Sequence, residues 1–142
     1  MLINKSIHIQ ASPAAVWDLL TNPVVMKQWV SDAPVDITAD WRTGGAIHYR
    51  GDLHGIAYEN KGIILRYEPR QVLEYRFWST LSQLPDAPEN YSVITFTLTP
   101  GANTTVLHFQ QTNFATEVIY QHFNFYWNTA LGLIKNLAGK NK

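Results

Sequence analysis

The chain has 142 residues, of which 46% are hydrophobic, and its 11 lysines and arginines balance 11 aspartates and glutamates. A chain of this length is the usual size of one domain with one core, and its hydrophobic content excludes intrinsic disorder. A net charge of zero without a basic cluster lacks the electrostatic pattern of nucleic-acid binders. We therefore expect neither nucleic acid nor an anionic membrane as a partner.

The sequence contains no cysteine, and its first residues lack the basic-then-apolar pattern of a signal peptide. Disulfides, thiol nucleophiles and cysteine-based metal sites are therefore excluded. The longest uncharged run with much apolar content, residues 118–134, is interrupted by polar side chains and is shorter than the ~20 apolar residues of a bilayer span. We expect a cytoplasmic protein without a membrane span, organised as a single domain over residues 1–142.

The first third of the chain predicts a strand followed by two helices. Residues 2–10 alternate apolar and polar side chains, which is the pattern of a half-buried strand. Ser12-Pro13 then has the form of a helix start, because serine can cap free amides and proline is tolerated in the first turn. Asn22-Pro23 repeats this signal at once, so we expect two short helices in succession.

Residues 35–113 contain runs rich in Ile, Val, Thr, Tyr and Phe that are separated by glycine and proline, which is typical of antiparallel strands. The predicted strands are residues 35–39, 45–51, 55–67, 71–78, 91–99 and 104–113. Gly62 falls inside the longest of these strands and predicts a bulge or bend there. The segment 79–90 is long for a hairpin connection, so it is either a lid over a binding site or a plain solvated loop.

After Thr116 the hydrophobic period becomes that of a helix, predicted to run to about Leu137 and to end before Gly139. Its apolar residues form one broad face. Val118 and Phe125 point away from that face, so they either form a homodimer contact or are isolated exposed residues. A sheet that receives one amphipathic helix buries both apolar surfaces in a single α+β core.

Several stretches of the sequence carry a family resemblance. They are Ala11-Ser12-Pro13 with Val16-Trp17 and Trp29, residues 40–45, residues 62–69 leading into Leu73-Glu74-Tyr75, residues 95–98, and Trp127 with Leu131, Ile134 and Leu137. Together they resemble the SRPBCC superfamily (START-like, birch-pollen-allergen-like), and within it the branch related to the activator of the 90-kDa heat shock protein ATPase. The resemblance implies a helix-grip fold, in which a curved antiparallel sheet wraps around a long C-terminal helix.

The same resemblance implies several kinds of function. Family members bind lipids, sterols, polyketides or hormones in a cavity between sheet and helix, a few catalyse cyclisation or hydration, and some contact chaperones. The eukaryotic chaperone activator carries a large additional N-terminal domain, whereas this sequence starts at the first strand, so we expect no direct activation of a chaperone ATPase. The fold alone does not choose among these roles.

The strongest functional signal is the density of aromatic side chains on faces that should converge. Strand parity predicts that sheet aromatics meet helix aromatics, where they either rim a cavity with phenol and indole polar groups or simply fill the core. Gln111 shares the inward parity, so its amide either orients a ligand or is satisfied near the strand end. The candidate ligand-binding residues are Tyr49, Tyr75, Phe77, Phe96, Phe109, Gln111, Phe123, Tyr126 and Trp127.

Other chemistry has weaker signals. The five histidines lack the spacing of a metal site, and neither a nucleophile elbow nor a phosphate loop is present, so we predict no metal and no cofactor. Glu59 and Glu74 are the candidates for a cavity carboxylate, although Glu74 should face solvent. The sequence thus predicts a non-catalytic protein that binds a small apolar or amphipathic molecule. The alternatives are an enzyme of the cyclase or hydratase type and a chaperone-interaction module.

Overall fold

The computed structural model describes residues 1–140, which form seven strands, three α-helices and two short 3-10 turns. The strands are β1 (Ile3–Ile9), β2 (Val35–Ala39), β3 (Ala46–Leu53), β4 (Ile56–Glu68), β5 (Val72–Ser79), β6 (Ser92–Pro100) and β7 (Thr105–Thr112). The helices are α1 (Pro13–Thr21), α2 (Pro23–Val30) and α3 (Glu117–Lys140), and the 3-10 turns, Thr80–Ser82 and Pro88–Asn90, lie between β5 and β6. Every predicted strand is present, and its ends differ by two residues at most.

The seven strands form one antiparallel sheet in the order β1-β7-β6-β5-β4-β3-β2. Chain order is kept from β2 to β7, and β1 pairs with β7, so α1 and α2 connect the two edges of the sheet. Side chains of α3 pack into the core on one face, which we call the inner face. This arrangement confirms the predicted α+β helix-grip architecture.

The two short helices begin at the predicted caps. The Ser12 hydroxyl accepts a hydrogen bond of 3.2 Å from the amide three residues later, and Asn22 both ends α1 and caps α2. The indole nitrogen of Trp29 donates to the carbonyl oxygen of Leu19 over 2.7 Å, which joins the two helices. These local signals place α1 and α2 against the core, so the chain can cross from one sheet edge to the other.

The longest strand, β4, is irregular, two residues past the Gly62 position at which the sequence predicted a bulge or bend. Its register with β5 shifts between Ile64 and Arg66. Nearby, Gly62 approaches β5 so closely that an added Cβ would lie 1.8 Å from the carbonyl oxygen of Arg76. Only glycine fits at such a close backbone approach, and its missing side chain leaves the inner face open at this point.

Helix α3 runs to Lys140, past the end that the sequence predicted. Gly139 does not end the helix, because a glycine in a helix costs only about 1 kcal/mol and buried Ala138 holds the last turns on the core. The fully buried residues of α3 are Trp127, Ala130, Leu131, Ile134 and Ala138. Within residues 1–140, none of the helices combines the length and apolar character that crossing a membrane requires.

Candidate functional site

Three of the eight predicted aromatic residues form a closed part of the core. Phe96 and Phe109 are cross-strand neighbours on β6 and β7, are fully buried, and have ring centroids 5.3 Å apart. The Trp127 ring of α3 lies on both of them, at centroid distances of 5.7 and 4.3 Å. Sheet and helix therefore meet at these residues as the strand parity predicts.

Gln111 is fully buried, and its amide is already occupied. Its oxygen accepts a hydrogen bond of 3.0 Å from the Trp127 indole nitrogen, and its nitrogen donates to the Ser92 hydroxyl over 3.0 Å. Side chains of α3 and β6 thus supply one partner for each end of the amide.

The region around the other five predicted aromatic residues is packed less tightly. Phe77 on β5 lies between Tyr49 of β3 and Phe123 of α3, at ring-centroid distances of 6.5 and 5.6 Å. Tyr49 and Tyr75 are buried, whereas Phe77, Phe123 and Tyr126 are only partly buried. The N-terminal turns of α3 thus cover the inner faces of β3, β4 and β5 incompletely.

Two small spaces lie in this region. The first, which we call the gap, is too small for a water molecule and is lined by Ile47, Tyr49, Asn60, Lys61, Gly62, Tyr75 and Phe77. The second has a volume of about 30 Å³, enough for one or two water molecules, and lies where β5, β6, the 79–91 loop and the start of α3 meet. Pockets for small molecules usually measure about 300 to 1,000 Å³. The predicted residues converge, but a ligand would have to enlarge the space between them.

The gap contains a polar group that the sequence analysis missed. Asn60 lies directly opposite Tyr49 on the inner face, and its buried side-chain oxygen has no hydrogen-bond partner among the described residues. Leaving a buried polar atom unpaired costs about 1 to 3 kcal/mol, which is unusual for a purely structural position. Strand alternation could have indicated Asn60, because it lies two residues before Gly62 on β4 and therefore on the same face of the sheet.

Phenol groups supply the remaining polarity of this region. Tyr49 and Tyr75 both line the gap. The Tyr126 hydroxyl donates to the carbonyl oxygen of Val30 over 2.7 Å, which attaches α3 to α2. Burial raises the pKa of all three phenols above the ordinary tyrosine value. The region is therefore polar in places but uncharged at physiological pH.

The two carboxylates considered for an enzyme lie outside the interior. Glu59 is on the outer face, 3.0 Å from the Arg50 Nε and 3.4 Å from the His48 Nδ1, and the hydrogen bond from Arg50 lowers its pKa. Glu74 accepts a hydrogen bond of 2.8 Å from the Thr95 hydroxyl, also on the outer face. Neither group can act on a molecule held between sheet and helix, which removes Glu59 as a candidate cavity carboxylate and agrees with the solvent-facing position expected for Glu74.

Side-chain contacts anchor the 79–91 loop to the sheet. Lys61 of β4 forms an ion pair with Asp86, which also accepts a hydrogen bond of 2.5 Å from the Tyr91 hydroxyl. Tyr91 stacks on Trp78 at a centroid distance of 6.2 Å, and its carbonyl oxygen accepts from the Asn113 side chain over 2.7 Å. These bonds hold the loop beside the 30 Å³ cavity.

A seven-stranded antiparallel sheet that packs its aromatic inner face on a long C-terminal helix defines a domain of the SRPBCC type. A family model described as activator of Hsp90 ATPase homolog 1-like protein matches residues 10–139 of this chain. The chain belongs to this family.

Solved structures agree with the assignment. ChR145 from Cytophaga hutchinsonii is 33% identical, with a TM-score of 0.84 over 99% of this chain and 95% of that one. The Aha1 dimer from Colwellia psychrerythraea is 23% identical, with a TM-score of 0.75 over 99% and 98% of the two chains. CalU16 from Micromonospora echinospora is 20% identical, with a TM-score of 0.73 over 96% of this chain and 75% of that one. CalU16 and the Colwellia psychrerythraea protein share the fold of this chain. A search of curated proteins finds no match.

Proposed function

We propose that this protein binds a small apolar or amphipathic molecule between the inner face of the sheet and the N-terminal half of α3. The observation that carries the proposal is the uneven packing of this helix. Its fully buried residues begin at Trp127, whereas Tyr120, Phe123 and Tyr126, in the preceding turns, are only partly buried. The helix is thus fixed at its C-terminal end and free to yield above the two small spaces.

The walls of this region suit a flat or acyl molecule. Phe77 separates the gap from the 30 Å³ cavity, since it lines both, and Phe123 packs edge-on against it. Turning these two rings, or moving the first turns of α3, would join the spaces into one chamber. Aromatic walls with a few polar groups are the usual lining of small-molecule sites.

The binding test uses four probes: 2-naphthol, 2-naphthoate, 1-dodecanol and dodecanoate. We expect native mass spectrometry and tryptophan fluorescence to show saturable one-to-one binding of at least one probe. Phe123→Ala should weaken the binding of the naphthalene probes about tenfold, because it removes a stacking face. Phe125→Ala on the exposed side of the same helix should leave it unchanged. Failure of all four probes to bind, or undiminished binding by Phe123→Ala, would overturn the proposal.

We also propose a homodimer through the outer face of α3. Val118 and Phe125 are 77% and 76% exposed and lie seven residues apart, so they share one line along the helix. No charged residue interrupts residues 118–134, so two copies can approach without like-charge repulsion. The Colwellia psychrerythraea relative is described as a dimer, which supports this interpretation.

Sedimentation velocity tests the dimer. Phe125→Glu should shift the protein to a monomer at micromolar concentration, because the buried charge would have no partner. Val24→Glu is the matched control, since Val24 is an equally exposed valine on α2, at 75%. A wild-type protein that remains monomeric at all concentrations, or a Phe125→Glu protein that still dimerises, would contradict this proposal.

A further inference from the structure

We propose that the molecule bound in the gap carries a neutral hydroxyl group, which donates a hydrogen bond to Asn60 and accepts one from Tyr49. The inference rests on the binding site proposed above and names its ligand class: an uncharged alcohol, phenol or enol with an apolar body. Carboxylates of the same shape are excluded. Three features of the gap carry this conclusion: an unused acceptor, a phenol hydroxyl opposite it, and the lack of an unpaired positive charge among its described lining residues.

The unused acceptor is the side-chain oxygen of Asn60. It is buried on the inner face, opposite Tyr49, and has no hydrogen-bond partner within residues 1–140. An amide oxygen can only accept, so the group that satisfies it must present an O–H or N–H. The residues that line the gap with it are Ile47, Tyr49, Lys61, Gly62, Tyr75 and Phe77.

The second polar group of the gap is the Tyr49 hydroxyl. Tyr49 lies directly opposite Asn60 and lines the gap with it. A phenol hydroxyl can donate one hydrogen bond. A hydroxyl group can accept from Tyr49 and donate to Asn60 at once, whereas a carbonyl or carboxylate oxygen can only accept.

Charge separates the two ligand classes. Lys61 lines the gap, but its ammonium group is bonded to Asp86, while Arg50 pairs with Glu59 on the outer face. A buried carboxylate would lie beside the Asn60 oxygen without a cation to compensate it, which is costly in a low-dielectric interior. An alcohol has no such cost.

The experiment compares matched neutral and anionic probes at pH 7. We expect 2-naphthol to bind at least about tenfold more tightly than 2-naphthoate, and 1-dodecanol likewise relative to dodecanoate, as measured by fluorescence titration or calorimetry. Asn60→Leu should reduce the affinity for the two alcohols about tenfold and leave that for the two carboxylates unchanged. Asn128→Leu, on the exposed side of α3, is the control and should change neither.

Asn60→Leu should fold, because leucine has a similar volume and removes an unpaired buried oxygen. Tyr49→Phe gives an independent measurement, since it keeps the ring and removes only the donor, and it should lower the affinity for alcohols in the same way. Carboxylates that bind as tightly as alcohols, or an alcohol preference retained in both variants, would overturn the ligand class while the binding site stands. If no probe binds to the wild-type protein, the site itself is wrong and this inference falls with it.

Discussion

Gln111 is the residue that ties the two layers of this fold together. One end of its amide bonds the Trp127 indole of α3, and the other bonds the Ser92 hydroxyl at the start of β6. All three groups are buried, so none can turn to water if its partner is lost. In a low-dielectric interior, such a chain of hydrogen bonds fixes the position of the helix relative to the sheet.

Replacing Gln111 with methionine should therefore destabilise the protein although it keeps the side-chain volume. We expect the free energy of unfolding to fall by about 2 to 3 kcal/mol, because the indole and the hydroxyl are left unpaired. Urea denaturation monitored by circular dichroism measures this change. Gln110→Met is the control, since Gln110 is half-buried on the opposite face and should change stability by less than about 0.5 kcal/mol. Equal stability of the two variants would contradict this account.

For single residues, the sequence predicted which side chains are buried better than it predicted their hydrogen-bond partners. The inward direction of Tyr49, Phe96 and Phe109 follows from strand alternation, which depends only on the local chain. The occupied amide of Gln111 and the unpaired oxygen of Asn60 depend instead on which side chains other elements bring near. Local periodicity contains no information about that, so Asn60 was missed.

Among the elements, the close pairing of β4 with β5 depends on one glycine. Gly62 lets β4 and β5 approach within a distance at which no Cβ fits, since an added Cβ would meet the Arg76 carbonyl oxygen at 1.8 Å. The same missing side chain borders the gap. The glycine thus serves both the pairing of the strands and the space beside Tyr49 and Tyr75.

Gly62→Ala should lower the free energy of unfolding by about 2 to 3 kcal/mol, because the two strands must separate to admit the methyl group. Thermal and urea unfolding give the measurement. Gly132→Ala on α3 is the matched control, as a Cβ there meets nothing within 4 Å. That change should stabilise the protein by about 0.5 to 1 kcal/mol through helix propensity. If both variants changed the free energy of unfolding in the same direction, the close approach of β4 and β5 at Gly62 would not be what excludes a side chain there.

The 79–91 loop should loosen in acid. Hydrogen bonds from Lys61 and then from Tyr91 lower the pKa of Asp86. A carboxylate whose folded pKa is depressed contributes stability above its unfolded pKa, near 4, and loses it as pH falls through the lower folded value. Amides 80–90 should therefore exchange faster, relative to those of β7, as the pH is lowered from about 6 to 3.

Asp86→Asn isolates this effect. The variant removes the charge that titrates, so its loop should be loose at neutral pH and should show no further change on acidification. Asp36→Asn on β2 is the control and should retain the wild-type pH dependence. A loop whose relative exchange is independent of pH in the wild-type protein would rule out the Asp86 anchor as the cause.

For the molecule as a whole, the architecture was predictable and the state of the interior was not. Each element carries its own signal, such as the caps at Ser12 and Asn22, and the order of elements leaves few ways to bury one helix on one sheet. Whether converging rings leave a cavity depends on summed side-chain volumes and on small shifts of α3. The interior is nearly full, so any binding has to be coupled to an opening motion.

That coupling predicts two exchange regimes along α3. Residues 118–126 should exchange by local opening, because their side chains are exposed or only partly buried, whereas residues 127–138 should exchange only with global unfolding. Hydrogen exchange measured by NMR separates the two, since denaturant should affect mainly the second group. Saturating 2-naphthol should slow exchange in residues 118–126 at least about tenfold if it closes the open state. Uniform protection along the whole helix would mean that α3 does not yield at its N-terminal half, and the interior would then have no way to admit a ligand from that side.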